Sequence, residues 1–365
     1  MNGPPTGSAG RRVHEKLEGL LTRTWWQPEP PRQAWLLWLL WPLSMVYLGL
    51  WLTHCHTRRR AQALPVPVLV VGNHVVGGAG KTPTVMAIVQ ALQQAGHRPG
   101  VISRGHGRLG LGWHAVEPGD AATTAGDEPL LIRRRCGVPV WVGAQRAAVG
   151  RALCAAHAEV DVLVSDDGLQ HAALPRSAEL VVFDERGAGN GLLLPAGPLR
   201  EPLPKAVPPW RRVLYTAGIA STGLPGALAL RSISLALPLS AWVAGDATAA
   251  VPLSALAGRP LLAVAGIAAP DKFFSMLRTA GLTIEAWPLP DHHAYTVLPW
   301  PASTADVITT EKDAVKLDPL RLGNTRVWVV PLDLTLPDAL AADLIALLFP
   351  PLPHAQLHAL TMSPP

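Results

Sequence analysis

Cysteine and charge are both scarce in this chain. Its 365 residues include three cysteines, Cys55, Cys136 and Cys154, an odd number with no recurring spacing. A disulfide framework of the kind that staples small secreted domains is therefore not expected, and reduced thiols in the cytosol are. Charged residues amount to 16% and leave a net charge of +5. Because no aromatic and basic motif accompanies this modest charge, we expect no nucleic acid partner.

Aromatic residues are also few, at 5%, but they are unevenly placed. Six of the 13 tryptophans lie in the first sixty positions, and the segment AWLLWLLWPLSMVYLGLWL, residues 34–52, contains no charged residue. Its length matches the roughly 20 residues that cross a bilayer. Trp and Tyr favour the headgroup level and Pro42 disfavours a straight helix, so a spanning helix, an interfacial helix and a buried soluble helix all stay open. We favour the two membrane alternatives and expect membrane lipids as partners.

The residues on both sides of this segment bear on its fate and orientation. A polar leader precedes the segment and no A-x-A-like cleavage site ends it, which predicts a retained anchor rather than a signal peptide. Three arginines at residues 58–60 follow directly, and the positive-inside rule places such a cluster on the cytoplasmic side. The leader is basic as well, so charge alone leaves the orientation open.

Beyond residue 60, apolar runs typical of strands alternate with helical patterns. VPVLVVG, PGVISRG, GVPVWVG, DVLVSDD and ELVVFD are the first series, and PLLAVAGIA, LTIEAWPL, DVITT and TRVWVVPL are the second. This alternation predicts an α/β fold with a parallel sheet flanked by helices, and a second, smaller α/β domain. We predict a leader and anchor over residues 1–60, domains over 61–245 and 246–349, and a flexible tail over 350–365.

The strand predicted at VPVLVVG runs into a glycine-rich stretch, GNHVVGGAGKTPT, residues 72–84. Backbone N–H groups at a helix N-terminus, approached closely because glycine has no side chain, are what a polyphosphate requires. The residues expected to bind it are Gly77, Gly78, Ala79, Gly80, Lys81 and Thr82. The lysine is expected to reach the β- and γ-phosphates and the threonine to hold Mg²⁺, which indicates a P-loop NTPase-like domain.

Three further sites offer carboxylate or imidazole groups. Asp166 and Asp167 follow an apolar run, and in a P-loop domain we favour a role in binding Mg²⁺ over that of turn residues. Asp127, in AGDEP, precedes Pro129 in the way of a helix cap, and capping and proton transfer both remain open. In PDHHAYT, His292 is either a surface histidine or part of a site.

Taken in order, these motifs resemble those of a known family. VGNHVVGGAGKTP, SRGHGR, AGDEP, DDGLQHAAL, GNGLLLPAGPLREPL, VAGIAAP, PDHHAYT and TTEKDAVKL follow an N-terminal hydrophobic helix. The set resembles the tetraacyldisaccharide 4'-kinases, or lipid A 4'-kinases, from about residue 34 to about residue 335. The resemblance implies a bacterial inner-membrane enzyme, facing the cytoplasm, that moves the γ-phosphate of ATP to the 4'-hydroxyl of a tetraacyldisaccharide 1-phosphate in lipid A synthesis.

The resemblance also implies roles for individual residues. Asp127 becomes the candidate base for the sugar hydroxyl, and His292 supports it across the cleft. The metal site is implied to contain Thr82, Asp166 and Asp167. Arg200 and Glu201 of PLRE are implied to line the nucleotide site, Lys81 to act in catalysis, and Arg104 of SRG to be a weaker candidate.

Two departures and two alternatives remain. Val75 stands where a small hydroxylated residue or glycine is more usual, and the extra His293 leaves open which imidazole faces Asp127. The main alternative is a membrane-recruited P-loop ATPase or GTPase, although in TTEKDAVK the lysine abuts Asp313 and does not fit the guanine-reading N-K-x-D spacing. A non-catalytic membrane scaffold is less favoured, because the P-loop lysine and threonine and the aspartate pair are all present.

Overall fold

The structure is a computed structural model that describes residues 19, 21–26, 34–57, 63–171 and 173–350. The basic cluster at residues 58–60, most of the leader and residues 351–365 of the predicted tail lie outside the described residues. Two sheets with their helices form two lobes, one from each of the two predicted series of strands.

The first lobe contains an eight-stranded sheet. Its strands are β1 (Val68–Gly72), β2 (Pro99–Ser103), β3 (His114–Ala115), β4 (Val140–Val142), β5 (Val162–Asp166), β6 (Ala178–Phe183), β7 (Arg211–Tyr215) and β8 (Ala227–Leu228). They lie in the order β3-β4-β2-β5-β1-β6-β7-β8, and every neighbouring pair is parallel except β3 with β4. The carboxyl ends of the central strands therefore meet at one edge of the sheet, where ligands bind in open α/β sheets.

Helices cover both faces of this sheet because successive side chains of a strand point to opposite faces. Leu69 and Val71 of β1 pack into the same buried cluster as side chains of α2 (Lys81–Gln94) and α4 (Asp127–Cys136). Val68 and Val70 pack on the other face, with side chains of α5 (Arg146–Ala156). A single turn, α3 (Ala122–Ala125), precedes α4. The continuous apolar runs of the sequence thus correspond to strands buried on both faces.

The second lobe contains a six-stranded mixed sheet. Its strands are β10 (Leu235–Pro238), β11 (Val251–Pro252), β12 (Leu261–Ala265), β13 (Ile284–Pro288), β14 (Asp306–Thr310) and β15 (Arg326–Val330), in the order β11-β10-β15-β14-β12-β13. Its helices are α6 (Leu239–Ala244), α7 (Pro270–Thr279) and α8 (Glu311–Ala314), and three 3₁₀ turns lie at Ala247–Ala249, Leu253–Leu256 and Pro319–Arg321. The predicted α/β fold with a second, smaller α/β domain is confirmed.

The two lobes are extensively connected. A short antiparallel pair, β9 (Leu230–Ser232) with β16 (Asp333–Thr335), links them, and one buried apolar cluster extends from the first sheet into the second. The last helix, α9 (Asp338–Leu348), packs back on the first lobe, where Arg212 pairs with Asp343. The domain limits at residues 245 and 246 stay a prediction; β10 and α6, which precede them, belong to the second sheet and its cover.

The N-terminal apolar segment forms α1 (Ala34–Thr57), which continues through Pro42. Within the described residues, positions 35–55 are the stretch long and apolar enough to cross a membrane. Most of its large side chains are exposed, including Trp38, at 80%, and Leu50. A helix buried in a soluble core would have covered them, so the exposure favours the membrane alternatives.

Candidate active site

The glycine-rich stretch lies between β1 and α2, at the carboxyl edge of the first sheet. Gly77 and Gly80 adopt φ angles of +87° and +84°, a left-handed conformation that disfavours residues with a side chain. A Cβ on Gly80 would also lie 3.2 Å from Oγ1 of Thr216. Ala79 is fully buried, and its carbonyl accepts a hydrogen bond from the same hydroxyl at 3.2 Å. The loop is thereby fixed against β7 with the N-terminus of α2 open.

Lys81 and Thr82 are the first two residues of α2. The ammonium of Lys81 lies 3.2 Å from Oδ1 of Asn73 and 3.5 Å from Oδ1 of Asp167, and the side chain is 12% exposed. Thr82 lines an adjoining apolar cavity of about 210 Å³ between α2 and the second lobe. Val75 is buried and forms an isolated β-bridge with Leu199, so its side chain points away from the loop's open side and braces the loop on the segment before Arg200.

Asp166 and Asp167 follow directly at the end of β5, whose register pairs Asp166 with Val71 of β1. Asp166 is 1% exposed; its Oδ2 accepts a hydrogen bond from Ser103 at 3.1 Å, while its Oδ1 has no protein partner among the described residues. Burial raises the pKa of this carboxyl to about 7. Burial also opposes ionisation of Asp167, but the cations of Lys81 and Arg200 outweigh it and lower the pKa of Asp167.

These oxygens fit a bound Mg²⁺. The unpartnered Oδ1 of buried Asp166 is the kind of group that a metal ion satisfies, and a cation beside it favours the ionised carboxylate. The described residues hold no cluster of three or more metal-ligating His, Cys, Asp or Glu side chains. Asp166 and Asp167 offer the one or two carboxylates that Mg²⁺ takes before phosphate and water complete its coordination.

Asp127 is the first residue of α4, and the helix cap is Gly126, with no side-chain capping bond. The capping interpretation of Asp127 is therefore wrong. Its Oδ2 lies 3.2 Å from Nδ1 of His292 and 3.4 Å from Nζ of Lys316, both in the second lobe. Burial opposes ionisation, but these two partners outweigh it and lower the pKa of Asp127 below its ordinary value. His292 is thus the imidazole that faces Asp127, whereas Nδ1 of His293 accepts a hydrogen bond from the backbone of Tyr295.

Arg200 and Glu201 have different surroundings. The guanidinium of Arg200 donates to Asp167 at 3.2 Å and lines the cleft. Glu201 is 5% exposed; it accepts a hydrogen bond from Gln170 at 3.0 Å and lies 3.2 Å from Nδ1 of His74. The structure brings Arg200 to the surface of the cleft and places Glu201 behind Gln170.

Eight of the predicted residues line one cleft of about 760 Å³ between the lobes, whereas Asp127, Ala79, Gly80, Thr82 and Glu201 are not part of its lining. Those lining it are Gly77, Gly78, Lys81, Asp166, Asp167, Arg200, His292 and the weaker candidate Arg104. Basic groups that the sequence reasoning did not single out also line it, Arg146 and Lys312 among them. Arg146 is 4% exposed, and its Nη1 donates to the carbonyl of Gly143 at 2.9 Å. The cleft therefore presents positive charge beyond that of the P-loop.

Sequence reasoning also missed the two lysines that reach α4 from the second lobe. Lys316 contacts Asp127, and Lys312 lies 3.1 Å from Glu128. Both lysines stand in TTEKDAVKL, four residues apart, which is the spacing of neighbours on one face of a helix. Two lysines on one helix face could have been matched with the two adjacent acids, Asp127 and Glu128, because opposite charges attract. The sequence therefore contained a signal for these two ion pairs.

Several known proteins are similar to this chain in sequence. The family model of Tetraacyldisaccharide-1-P 4'-kinase matches residues 36–348. Tetraacyldisaccharide 4'-kinase of Leptothrix cholodnii is 54% identical over 327 residues, covering 86% of this chain and 92% of its own length. The corresponding protein of Methylibium petroleiphilum is 48% identical over 365 residues, covering 98% of this chain and 100% of its own length.

A comparison with solved structures also finds a protein of this family. The crystal structure of the apo form of LpxK from Aquifex aeolicus in complex with ATP matches with a TM-score of 0.70 and 27% identity, over 86% of this chain and 100% of that one. The matches extend over both lobes and over α1. The chain belongs to the tetraacyldisaccharide 4'-kinase family.

Proposed function

We propose that the chain transfers the γ-phosphate of ATP to the 4'-hydroxyl of a tetraacyldisaccharide 1-phosphate, the lipid kinase step of lipid A synthesis. One observation carries the proposal beyond family membership. His292, whose Nδ1 lies 3.2 Å from Oδ2 of Asp127, lines the same cleft as the P-loop lysine and Asp166. A phosphate-binding loop and a carboxylate oriented beside the same cleft are what transfer to a hydroxyl requires.

Each residue would contribute through its own chemistry. The N-terminus of α2 and the glycine-rich loop would bind the phosphates, and Lys81 would neutralise charge that develops on the transferred group. Asp127 would accept the proton of the 4'-hydroxyl, with His292 holding the carboxylate oxygen at 3.2 Å. Arg200, which donates to Asp167, would keep that carboxylate in place. Thr82, Asp166 and Asp167 would hold Mg²⁺, which would supply positive charge to offset the negative charge of the phosphates.

The rest of the cleft suits the two substrates. The apolar cavity beside Thr82, lined by Met86 and Phe273, fits the base of the nucleotide better than a charged group. Arg104 and Arg146 also line the cleft and offer positive charge for a phosphate group of either substrate.

Helix α1 supplies a reason why the acceptor is a lipid. Its Tyr47 hydroxyl donates to the carbonyl of Arg200 at 2.7 Å, and Ser44 bonds to Leu193 and Ala196 in the same segment. The apolar helix therefore contacts the strip of chain that reaches the cleft, so that a membrane holding α1 lies next to the site. We propose the bacterial inner membrane as the location, with the lobes facing the cytoplasm.

A labelling assay separates this function from its main alternative. Purified full-length protein in detergent micelles receives γ-labelled ATP, Mg²⁺ and one of three additions: the acylated disaccharide 1-phosphate, the same lipid already phosphorylated at the 4' position, or no lipid. We expect label in lipid with the first addition only, and none with a Lys81→Ala control. Release of inorganic phosphate that is independent of lipid, without labelled lipid, would instead indicate an ATPase.

A further inference from the structure

Lys316 is a buried lysine with two carboxylate neighbours in different lobes. Its side chain is 5% exposed, and its ammonium lies 3.3 Å from Oδ1 of Asp313 and 3.4 Å from Oδ2 of Asp127. It also lies 5.3 Å from the centre of the Tyr295 ring. Burying an ammonium is unfavourable unless it is paired. The ion pair with Asp313 lies within its own lobe, and among the described residues the ammonium donates no hydrogen bond. The contact with Asp127 is therefore a second charge contact of this buried ammonium, made across the lobes.

Asp313 connects Lys316 to the loop that carries His292. Asp313 is fully buried, and its Oδ2 accepts hydrogen bonds from the backbone N–H of Gly266 at 3.0 Å and from the hydroxyl of Thr310 at 2.7 Å. The carbonyl of Gly266 in turn accepts a hydrogen bond from the backbone N–H of His292 at 3.2 Å. A Cβ on Gly266 would lie 2.9 Å from Asp313, so this approach depends on glycine. Lys316 and His292 are thus held relative to each other by one bonded unit.

Both contacts that fix the Asp127 carboxylate come from this unit, and both meet Oδ2. His292 makes a hydrogen-bond contact with this oxygen and Lys316 adds an ion pair to it, so two groups from the second lobe favour one position of Oδ2. Neither Lys316 nor Asp127 is among the residues that line the cleft, whereas Glu128 and His292 are. Lys316 contacts Asp127 directly, so we place its action on that carboxylate.

The charged and titratable groups near Asp127 come from several elements. They are Glu128 on α4, Lys312, Asp313 and Lys316 on or just after α8, Asp291 and His292 on the loop after β13, and His106 on the loop after β2. Lys312 is already paired with Glu128 at 3.1 Å. His292 and Lys316 contact Asp127 and most strongly favour its charged form, and Lys312 adds a smaller effect of the same sign.

We propose that Lys316 is a positioning residue for the base: with His292, it orients the Asp127 carboxylate and keeps it charged, and it does so only when the second lobe sits against α4. The inference rests on the proposed function, because it assigns Asp127 the role of base. It extends that function by making assembly of the base depend on contact between the lobes.

The test compares Lys316→Met, Lys316→Arg and Arg135→Met in the full-length protein. Methionine keeps the length of the side chain and removes its charge, and arginine keeps the charge. Arg135 pairs with Glu311 at 3.0 Å and so joins the lobes at the other end of α4, without contacting Asp127. It controls for loosened contact between the lobes. The measurements are kcat and KM for both substrates as functions of pH, with thermal unfolding of each variant.

We expect Lys316→Met to lower kcat on the order of 10- to 100-fold, less than the about 10²–10⁴-fold of losing a positioned base, with KM for ATP unchanged. The acid limb of its kcat profile should move to higher pH, while Lys316→Arg and Arg135→Met keep the limb of the wild type. An unshifted limb in Lys316→Met, or the same profile in Lys316→Met and Arg135→Met, would overturn the inference. If Lys316→Met does not fold, Lys316→Gln provides the same comparison. Absence of kinase activity in the wild type would instead overturn the proposed function.

Discussion

Replacing Asp127 by asparagine removes one negative charge and almost no volume. If this carboxylate is the base, the variant should bind ATP and yet lose about 10²–10⁴-fold in kcat. At about 1.36 kcal/mol per factor of ten, that loss corresponds to about 2.7–5.4 kcal/mol of transition-state stabilisation. Because the helix cap is Gly126 and not Asp127, no loss of capping is expected to complicate the measurement.

The stability of the same variant follows from its partners. Asp127 is 14% exposed on its side chain and lies against Lys316, which keeps Asp313 as a second partner. A hydrogen bond to a charged group contributes about 1.5–3 kcal/mol, which sets the expected decrease in the free energy of unfolding. The folded-state pKa of Asp127 lies below its ordinary 3.8. Its ionised form therefore contributes stability above that pH, and the difference between wild type and variant should narrow as the pH falls through the lowered value.

A cycle of four proteins provides the assay: wild type, Asp127→Asn, His292→Ala and the double variant, each measured for kcat, ATP affinity and unfolding. His292→Ala should lose less than Asp127→Asn, since it assists the base. The double variant should fall short of the product of the single losses, because residues that act as a unit are not additive. Near-normal turnover by folded Asp127→Asn would refute this reasoning and make Asp166 or Asp167 the better candidate base.

Further predictions concern the phosphate site, the membrane helix and the lobe interface. Lys81→Ala should nearly abolish phosphoryl transfer, measured as label that passes from γ-labelled ATP to lipid. Turnover by this variant at the rate of the wild type would contradict the P-loop assignment. Chelation of divalent cations should stop turnover, and added Mg²⁺ should restore it; activity that survives chelation would contradict the assigned metal site. Tyr47→Phe removes the hydrogen bond to Arg200 and should raise KM for the lipid about 2- to 10-fold, with unchanged ATP affinity; an unchanged KM would separate α1 from the site. Arg135→Leu leaves the carboxylate of Glu311, which is 3% exposed, without its cation. It should therefore lower the free energy of unfolding, measured by denaturant titration, by about 3–5 kcal/mol. A free energy of unfolding equal to that of the wild type would show that the ion pair contributes nothing to stability.

The sequence was most informative where local pattern and local structure coincide. VPVLVVG becomes β1, buried on both faces, and the glycines that follow become the turn into α2. The aspartates after DVLVS lie beside the P-loop because parallel strands end at one edge of the sheet. These outcomes depend on short stretches of chain and on the rule that parallel strands place their carboxyl ends together.

The features that the sequence does not predict depend on contacts between segments that are far apart in the chain. Whether His292 or His293 faces Asp127 is decided by the left-handed backbone of His292, with φ at +56°, and by its bond to Gly266. Lys316 reaches Asp127 across 189 positions of sequence only because the two lobes pack together. Likewise the sequence predicts α1 as a membrane anchor, but its hydrogen bonds to Leu193 and Arg200, next to the cleft, depend on packing between distant segments.

If phosphate moves from ATP to the 4'-hydroxyl of a lipid disaccharide, the lipid product must carry a new phosphate at that position. The lipid product of the full-length protein, made from ATP and the acylated disaccharide 1-phosphate, is purified and its phosphorus–proton correlations are measured by NMR. The account predicts two phosphorus signals, one correlated with the proton at position 1 and a new one correlated with the proton at position 4'. A new phosphate correlated with any other position, or ATP consumption with a single phosphorus signal in the lipid, would contradict it.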